Sequence, residues 1–140
     1  MLAAEARREG VTVDVWRPFS GYGEDQDHCY PFRAFVERAR AREDPFEVWG
    51  SARSARDWVH IDDVVDVVFD GLGHNTVVNV CTGRATTFAE LAAMVCEAAG
   101  YSPRVVEVPG PTGVFWRVGD PGTMSRVPIV SIEEGCRRAV

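Results

Sequence analysis

Lysine is absent from this 140-residue sequence; all fifteen basic side chains are arginine. Schiff-base chemistry, a lysine general base and a P-loop lysine are therefore excluded within these residues. Long apolar runs are missing too, none approaching the roughly 18–20 residues of a membrane helix. The stretch Met1–Gly10 has adjacent arginines but no apolar segment of the kind that marks a secretory signal, so a cytoplasmic location is expected. Positive charge is in short supply: Asp and Glu outnumber Arg by 21 to 15, for a net charge of −6. That balance argues against nucleic acid or an anionic membrane as the main partner. Cysteine is sparse, with Cys29, Cys81, Cys96 and Cys136 far apart and no Cys-x-x-Cys. Cys81 and Cys96 lie in apolar segments and read as small core residues, and His28-Cys29 lacks two further ligands at useful spacing, so no metal site is expected.

What is present suits one globular domain over residues 1–140, with 46% hydrophobic and 26% charged residues. Leu2 to Glu9 reads as the end of a helix stopped by Gly10, and the alternating Val11–Trp16 as a strand ended by Arg17-Pro18. Ser20–Gly23 reads as a loop. Tyr30–Arg42 carries Phe32, Phe35, Val36 and Ala39 at helical spacing, with Pro31 in the first turn. Phe46–Trp49 and Asp57–His60 read as short strands, the second leading into a helix over about Asp62–Leu72, with Asp62 and Asp63 at its positive end, read as its cap before an active-site pair. Trp49 and Trp58 are expected in the core, and His60 reads as a hydrogen-bonded structural histidine.

Val77–Cys81 is an apolar strand. Thr87-Phe-Ala-Glu90 is a capping box opening a helix with the apolar stripe Leu91, Met94, Val95 and Ala98, stopped by Gly100. Val105–Val108 is a strand, Pro109–Gly122 a Pro- and Gly-rich loop, and a last short helix begins near Ser131. Strands and helices alternate, which is the α/β class.

The order of motifs resembles the NAD-dependent nucleotide-sugar epimerases and dehydratases, an extended short-chain dehydrogenase/reductase family. Leu2-Ala-Ala-Glu5 is similar to the helix after the family's Tyr-x-x-x-Lys, and Arg17-Pro-Phe-Ser-Gly-Tyr-Gly23 to its Arg-Pro-x-Asn-x-Tyr-Gly. Asp44–Gly50 with Ala55-Arg-Asp-Trp-Val-His-Ile-Asp-Asp-Val64 resembles Trp-Gly … Arg-Asp-Phe-Val-His-Val-Asp-Asp-Val. Val78-Asn-Val-Cys-Thr-Gly83 is similar to Phe-Asn-Val-Gly-Thr-Gly, and Ile132-Glu-Glu-Gly135 to the closing Leu-Glu-Glu-Gly. The resemblance runs nearly end to end and implies the last strands of a Rossmann-type sheet plus the small substrate-binding domain, the family's carboxyl-terminal half. Neither Gly-x-x-Gly-x-x-Gly nor Tyr-x-x-x-Lys occurs in these residues, and Met1 falls at or just after the place of that lysine. The chain also departs from the pattern it does cover. Ser20 replaces the family's asparagine, Trp49-Gly-Ser-Ala-Arg-Ser54 replaces Trp-Gly-Asp-Gly-x-Gln, and Pro128 falls where a helix would precede Val130.

The resemblance implies that Arg56 grips the nucleotide or its diphosphate, as a flat guanidinium fork suits phosphate oxygens; the alternative is a surface salt bridge. Arg117, after two aromatics in the Gly-rich loop, is a second diphosphate candidate or a solvated loop charge. Ser20 either touches the sugar or caps its turn, and Tyr30 and Phe32 either stack on the base or pack in the core. No catalytic, cofactor-binding or metal residue is expected here; NAD belongs to the half not represented. The expected ligand is a nucleotide diphosphate sugar. Exposed sheet edges imply a homo-oligomer or a covering partner chain. Alternatives are a cofactor-free enzyme reusing the sugar pocket for another substrate, and a non-catalytic partner-binding protein.

Overall fold

A computed structural model describes residues 2–111 and 113–140; Met1, set above beside the expected lysine position, and Thr112 lie outside the described residues. The order is α1 (Leu2–Arg8), β1 (Val15–Pro18), β2 (Ser20–Tyr22), α2 (Pro31–Arg40), β3 (Phe46–Trp49), β4 (Ala55–Arg56), β5 (Trp58–His60) and α3 (Ile61–Asp70). Then follow β6 (Val77–Val80), β7 (Thr86–Thr87), α4 (Phe88–Ala98), β8 (Val105–Val108), β9 (Trp116–Arg117) and α5 (Ile132–Ala139). β1 pairs with β6, β2 with β5 and β3 with β8, all parallel. β4 is the centre of a three-stranded sheet, antiparallel to β7 and parallel to β9. The expected α/β class is realised as short, mostly parallel sheets. None of the helices is long and apolar enough to cross a membrane among the described residues.

Two differences from the expected strands come from hydrogen bonds to distant parts of the sequence. The first strand begins at Val15 rather than Val11, because the preceding backbone is tied by side chains. Asp14 accepts from Gly73 and Thr76 N–H at 2.7 and 3.0 Å, and Asn75 Oδ1 accepts from Val13 N–H at 3.2 Å. Ser20–Tyr22, expected as a loop, is a strand, since β5 offers it a parallel partner in the register Ser20↔Trp58 to Tyr22↔His60.

Two apolar clusters organise the molecule. In the larger, α2 buries Phe32, Phe35, Val36 and Ala39 against Phe46, Leu91, Val95 and Cys136. The smaller joins Val59, Val67, Val78 and Val80, with Trp16 and Met124 packed against it. Trp58 is buried as expected. Trp49 is not: it stands 59% exposed on the outward face of β3, with the Arg38 guanidinium 4.9 Å from its ring centre.

Caps fix the helix starts. The capping box at α4 forms as expected, Thr87 Oγ1 accepting from Glu90 N–H and Glu90 accepting from Thr87 N–H. Ser131 caps α5 by accepting from Glu134 N–H. α3 is a correction: its cap is His60, whose Nδ1 accepts from Asp62 N–H, and neither aspartate serves. Asp63 is buried and accepts instead from Ile129 and Val130 N–H, at 2.8 and 2.9 Å. Those bonds hold the helix-free stretch that includes Pro128.

Candidate functional site

The sheet register brings together three of the five residues singled out from the sequence. β4 and β9 pair so that Arg56 lies opposite Arg117, which sets the two Cα atoms about 4.8 Å apart on neighbouring strands. Opposed residues of a parallel pair share a face, so the two guanidinium stems leave the same side of the sheet. Arg117 Nη2 donates to Ser20 Oγ at 3.3 Å. Ser20 is held by its own N–H, which donates to Asp57 O at 2.9 Å.

Arg56 is half-buried. Its guanidinium lies 5.3 Å from the centre of the Phe88 ring and Nη1 donates to Ala55 O at 2.8 Å. Burial, with the Arg117 charge second, pulls its pKa below the ordinary arginine value. Among the described residues no carboxylate forms an ion pair with Arg56 or Arg117, although other surface arginines do find one. Two adjacent like charges without a counter-ion make an electropositive spot suited to a dianionic group.

A profile of the NAD dependent epimerase/dehydratase family matches residues 1–81, more than half of the sequence. The chain belongs to that family. Among curated relatives, Probable GDP-L-fucose synthase 1 of Oryza sativa subsp. japonica is 28% identical over 137 residues, covering 89% of this chain and 41% of the relative. GDP-L-fucose synthase of Escherichia coli (strain K12) is 27% identical over 113 residues, 71% of this chain and 35% of its own length. Among solved structures, UDP-glucose 4-epimerase of Thermotoga maritima with UDP-glucose is 31% identical with a TM-score of 0.86, covering 97% of this chain and 47% of that one. The dTDP-glucose 4,6-dehydratase of Bacillus anthracis, at 19% identity and a TM-score of 0.85, shares the fold. This chain spans less than half the length of each of these proteins. It shares part of the family's α/β fold, with short, mostly parallel sheets.

Among the described residues no strand-to-helix turn carries the Gly-x-x-Gly-x-x-Gly pattern of a dinucleotide site. A dinucleotide's diphosphate needs free N–H groups at a glycine-rich turn from strand to helix. In the helices entered directly from a strand, α3 and α4, one first-turn N–H each is taken, Asp62 N–H by His60 and Glu90 N–H by Thr87. The Thr82-Gly83 turn after β6 also has both N–H groups occupied, by the Asp57 carboxylate.

The remaining two sequence candidates fall elsewhere. Phe32 is a correction. It is fully buried, 4.5 Å from Tyr22 and 6.3 Å from Trp58 between ring centres, and has no face left for a base. Tyr30 is exposed at the start of α2, outside the hydrogen bonds that join Ser20, Arg56 and Arg117. His60 is buried as a structural histidine, with Nε2 3.2 Å from Glu24 Oε2. Tyr22 donates to Ser131 O at 3.1 Å, and burial raises its pKa above the ordinary phenol value.

Two site features were missed in the sequence. The first is the exposure of the aromatics: Phe115 and Trp116, read from the sequence only as neighbours of Arg117, and Trp49, expected in the core, are each more than half exposed. The second is Asp57, fully buried between Arg56 and Trp58. A carboxylate directly before the apolar pair Trp58-Val59 was the available signal, because a buried charge must be fully hydrogen-bonded.

Proposed function

We propose that these residues form the nucleotide-sugar-binding portion of an NAD-dependent epimerase/dehydratase. The observation that carries the reading is the register pairing of Arg56 with Arg117, with no carboxylate partner for either among the described residues. A diphosphate bridging the two guanidiniums removes their mutual repulsion, and each fork can grip phosphate oxygens in bidentate fashion. Ser20, tethered to Arg117, is placed to meet the sugar or its phosphate. The exposed aromatics Trp49, Phe115 and Trp116 offer faces on which a base can stack, with Tyr30 as a further candidate. The relatives support the ligand class: the rice and Escherichia coli proteins are named for a GDP-sugar, and the Thermotoga maritima epimerase holds UDP-glucose.

On this reading the 140 residues by themselves carry no NAD-dependent turnover, since they contain neither the glycine-rich turn nor Tyr-x-x-x-Lys. A cytoplasmic setting is part of the same proposal. The test is thermal unfolding of the chain with UDP-, dTDP- and GDP-sugars, and with NAD⁺ as control. Ligand at about a hundred times its Kd adds about 2.7 kcal/mol, a plain rise in Tm for a domain of this size. Stabilisation by one nucleotide sugar and not by NAD⁺ is the expected result; no shift with any of them ends the reading. A second reading, a non-catalytic partner-binding module, draws on the exposed apolar residues Ile61, Val65 and Phe69 along α3. It predicts no nucleotide-sugar shift.

A further inference from the structure

Asp57 touches every segment that builds the arginine site, although its side chain is fully buried and meets no solvent. Its Oδ1 accepts from Thr82 N–H at 2.8 Å and from Thr82 Oγ1–H at 2.7 Å. Its Oδ2 accepts from Gly83 N–H at 2.9 Å and from Gly119 N–H at 3.2 Å. Its backbone completes the set: Asp57 N–H donates to Arg117 O at 3.1 Å, and Asp57 O accepts from Ser20 N–H at 2.9 Å.

These bonds act against a specific strain. Residues 113–117 are exposed, and β9 is two residues long, so little packing holds this segment to β4. Arg117 meanwhile faces the like charge of Arg56, which tends to push the segment outward. Two of the bonds fastening the segment come from Asp57, one on Arg117 itself and one two residues beyond it. The approach at Gly119 is close: a Cβ there would lie 2.5 Å from Cys81 Sγ and 2.8 Å from Phe19 Cε2, so only glycine brings this N–H to the carboxylate. All four carboxylate bonds come from donors. An amide of the same shape would turn an NH₂ group toward N–H donors at one of its two ends.

We infer that Asp57 is a positioning residue for diphosphate binding, holding Arg117 in register with Arg56 and Ser20 against their mutual repulsion. The inference rests on the arginine pair being the diphosphate site proposed above. It predicts that loss of the Asp57 bonds weakens ligand binding through Arg117, and through little else.

The experiment is a double-mutant cycle read by calorimetric titration of the chain with UDP, dTDP and GDP. Wild type, Asp57→Asn, Arg117→Ala and the double variant are compared, with Thr82→Val and its Arg117→Ala double as a milder arm. That arm removes one donor and keeps a β-branched shape should Asp57→Asn fail to fold. Asp57→Asn is expected to weaken binding about tenfold and Thr82→Val about threefold, in line with broken hydrogen bonds to a buried charge. In the Arg117→Ala background both substitutions are expected to change affinity by less than about twofold, since the residue they position is gone. A merely structural role would not give that pattern: it predicts the same weakening with or without Arg117, or none, and either result overturns the inference while leaving the arginine site standing. A wild-type chain that binds none of UDP, dTDP and GDP overturns the arginine site, and the role of Asp57 falls with it.

Discussion

Arg56 and Arg117 present a trade between stability and binding at the level of single side chains. Each lacks an acidic partner among the described residues, and each feels the other's charge, so the unliganded pair stabilises nothing by itself. Arg117→Ala is therefore expected to leave the unliganded chain within about 0.5 kcal/mol of wild type. The same substitution is expected to shrink the nucleotide-sugar rise in Tm without removing it, since Arg56 remains, and paired melts with and without UDP-, dTDP- and GDP-sugars check both halves. Loss of stability together with an intact ligand shift would show the arginine to be structural. Phe32 is the opposite case. Its side chain is enclosed by Tyr22 and Trp58, so Phe32→Ala is expected to cost about 3–5 kcal/mol in chemical denaturation. Tyr30→Ala, at an exposed site, is expected to cost less than about 0.5 kcal/mol, and its effect on nucleotide affinity reports stacking without a folding penalty.

Helix starts are the elements that the sequence announces most plainly. Thr87 with Glu90, and Ser131 with Glu134, carry their caps within four residues, so local chemistry alone specifies them. Thr87→Ala is expected to cost about 1 kcal/mol, measured by urea denaturation. Hydrogen bonds from Thr87, the N–H first, hold the Glu90 pKa below its ordinary value. A depressed folded-state pKa means stabilisation that is present above the unfolded value near 4.5 and fades as pH falls through the lower folded value. Glu90→Gln should therefore flatten the decline of stability below about pH 4.5 relative to wild type. A decline of unchanged steepness would assign it to other carboxylates. What local chemistry did not announce was long-range pairing. Ser20–Tyr22 looks like a loop, with Gly21 in its middle, and becomes a strand because β5 lies alongside it. His60 displaced Asp62 and Asp63 as the cap of α3 because Asp63 is drawn into the backbone of residues 129 and 130. The arginine site shows the same division. Arg56 and Arg117 were legible one by one from residue type and motif, but sixty positions of chain separate them, and only the β4–β9 register makes them a pair.

Across the whole molecule the open surfaces follow from how the apolar residues are distributed. The larger cluster, under α2, α4 and α5, is closed, whereas the smaller one around β1, β6 and α3 is thin. β1 and β6 pair with each other, and among the described residues neither has a second strand neighbour. On α3, Val67 packs on Val78 and Val80 of the sheet and Asp63 holds the backbone of residues 129 and 130, while Ile61, Val65 and Phe69 follow one another at four-residue intervals on an exposed flank. A helix apolar on both of those flanks has a second surface to cover, and unpaired parallel strands beside it are a template for association. The isolated 140-residue chain is therefore expected to self-associate as its concentration rises, by light scattering coupled to size exclusion. Phe69 is 70% exposed, so Phe69→Lys removes apolar contact area between chains without opening a cavity within one. That variant is expected to shift the chain toward monomer and to keep its Tm within about 2 °C of wild type, since exposed substitutions cost little. A wild-type chain that stays monomeric at every concentration would show that the flank of α3 and the β1–β6 edges need no cover. Association that survives Phe69→Lys would move the contact to the strand edges.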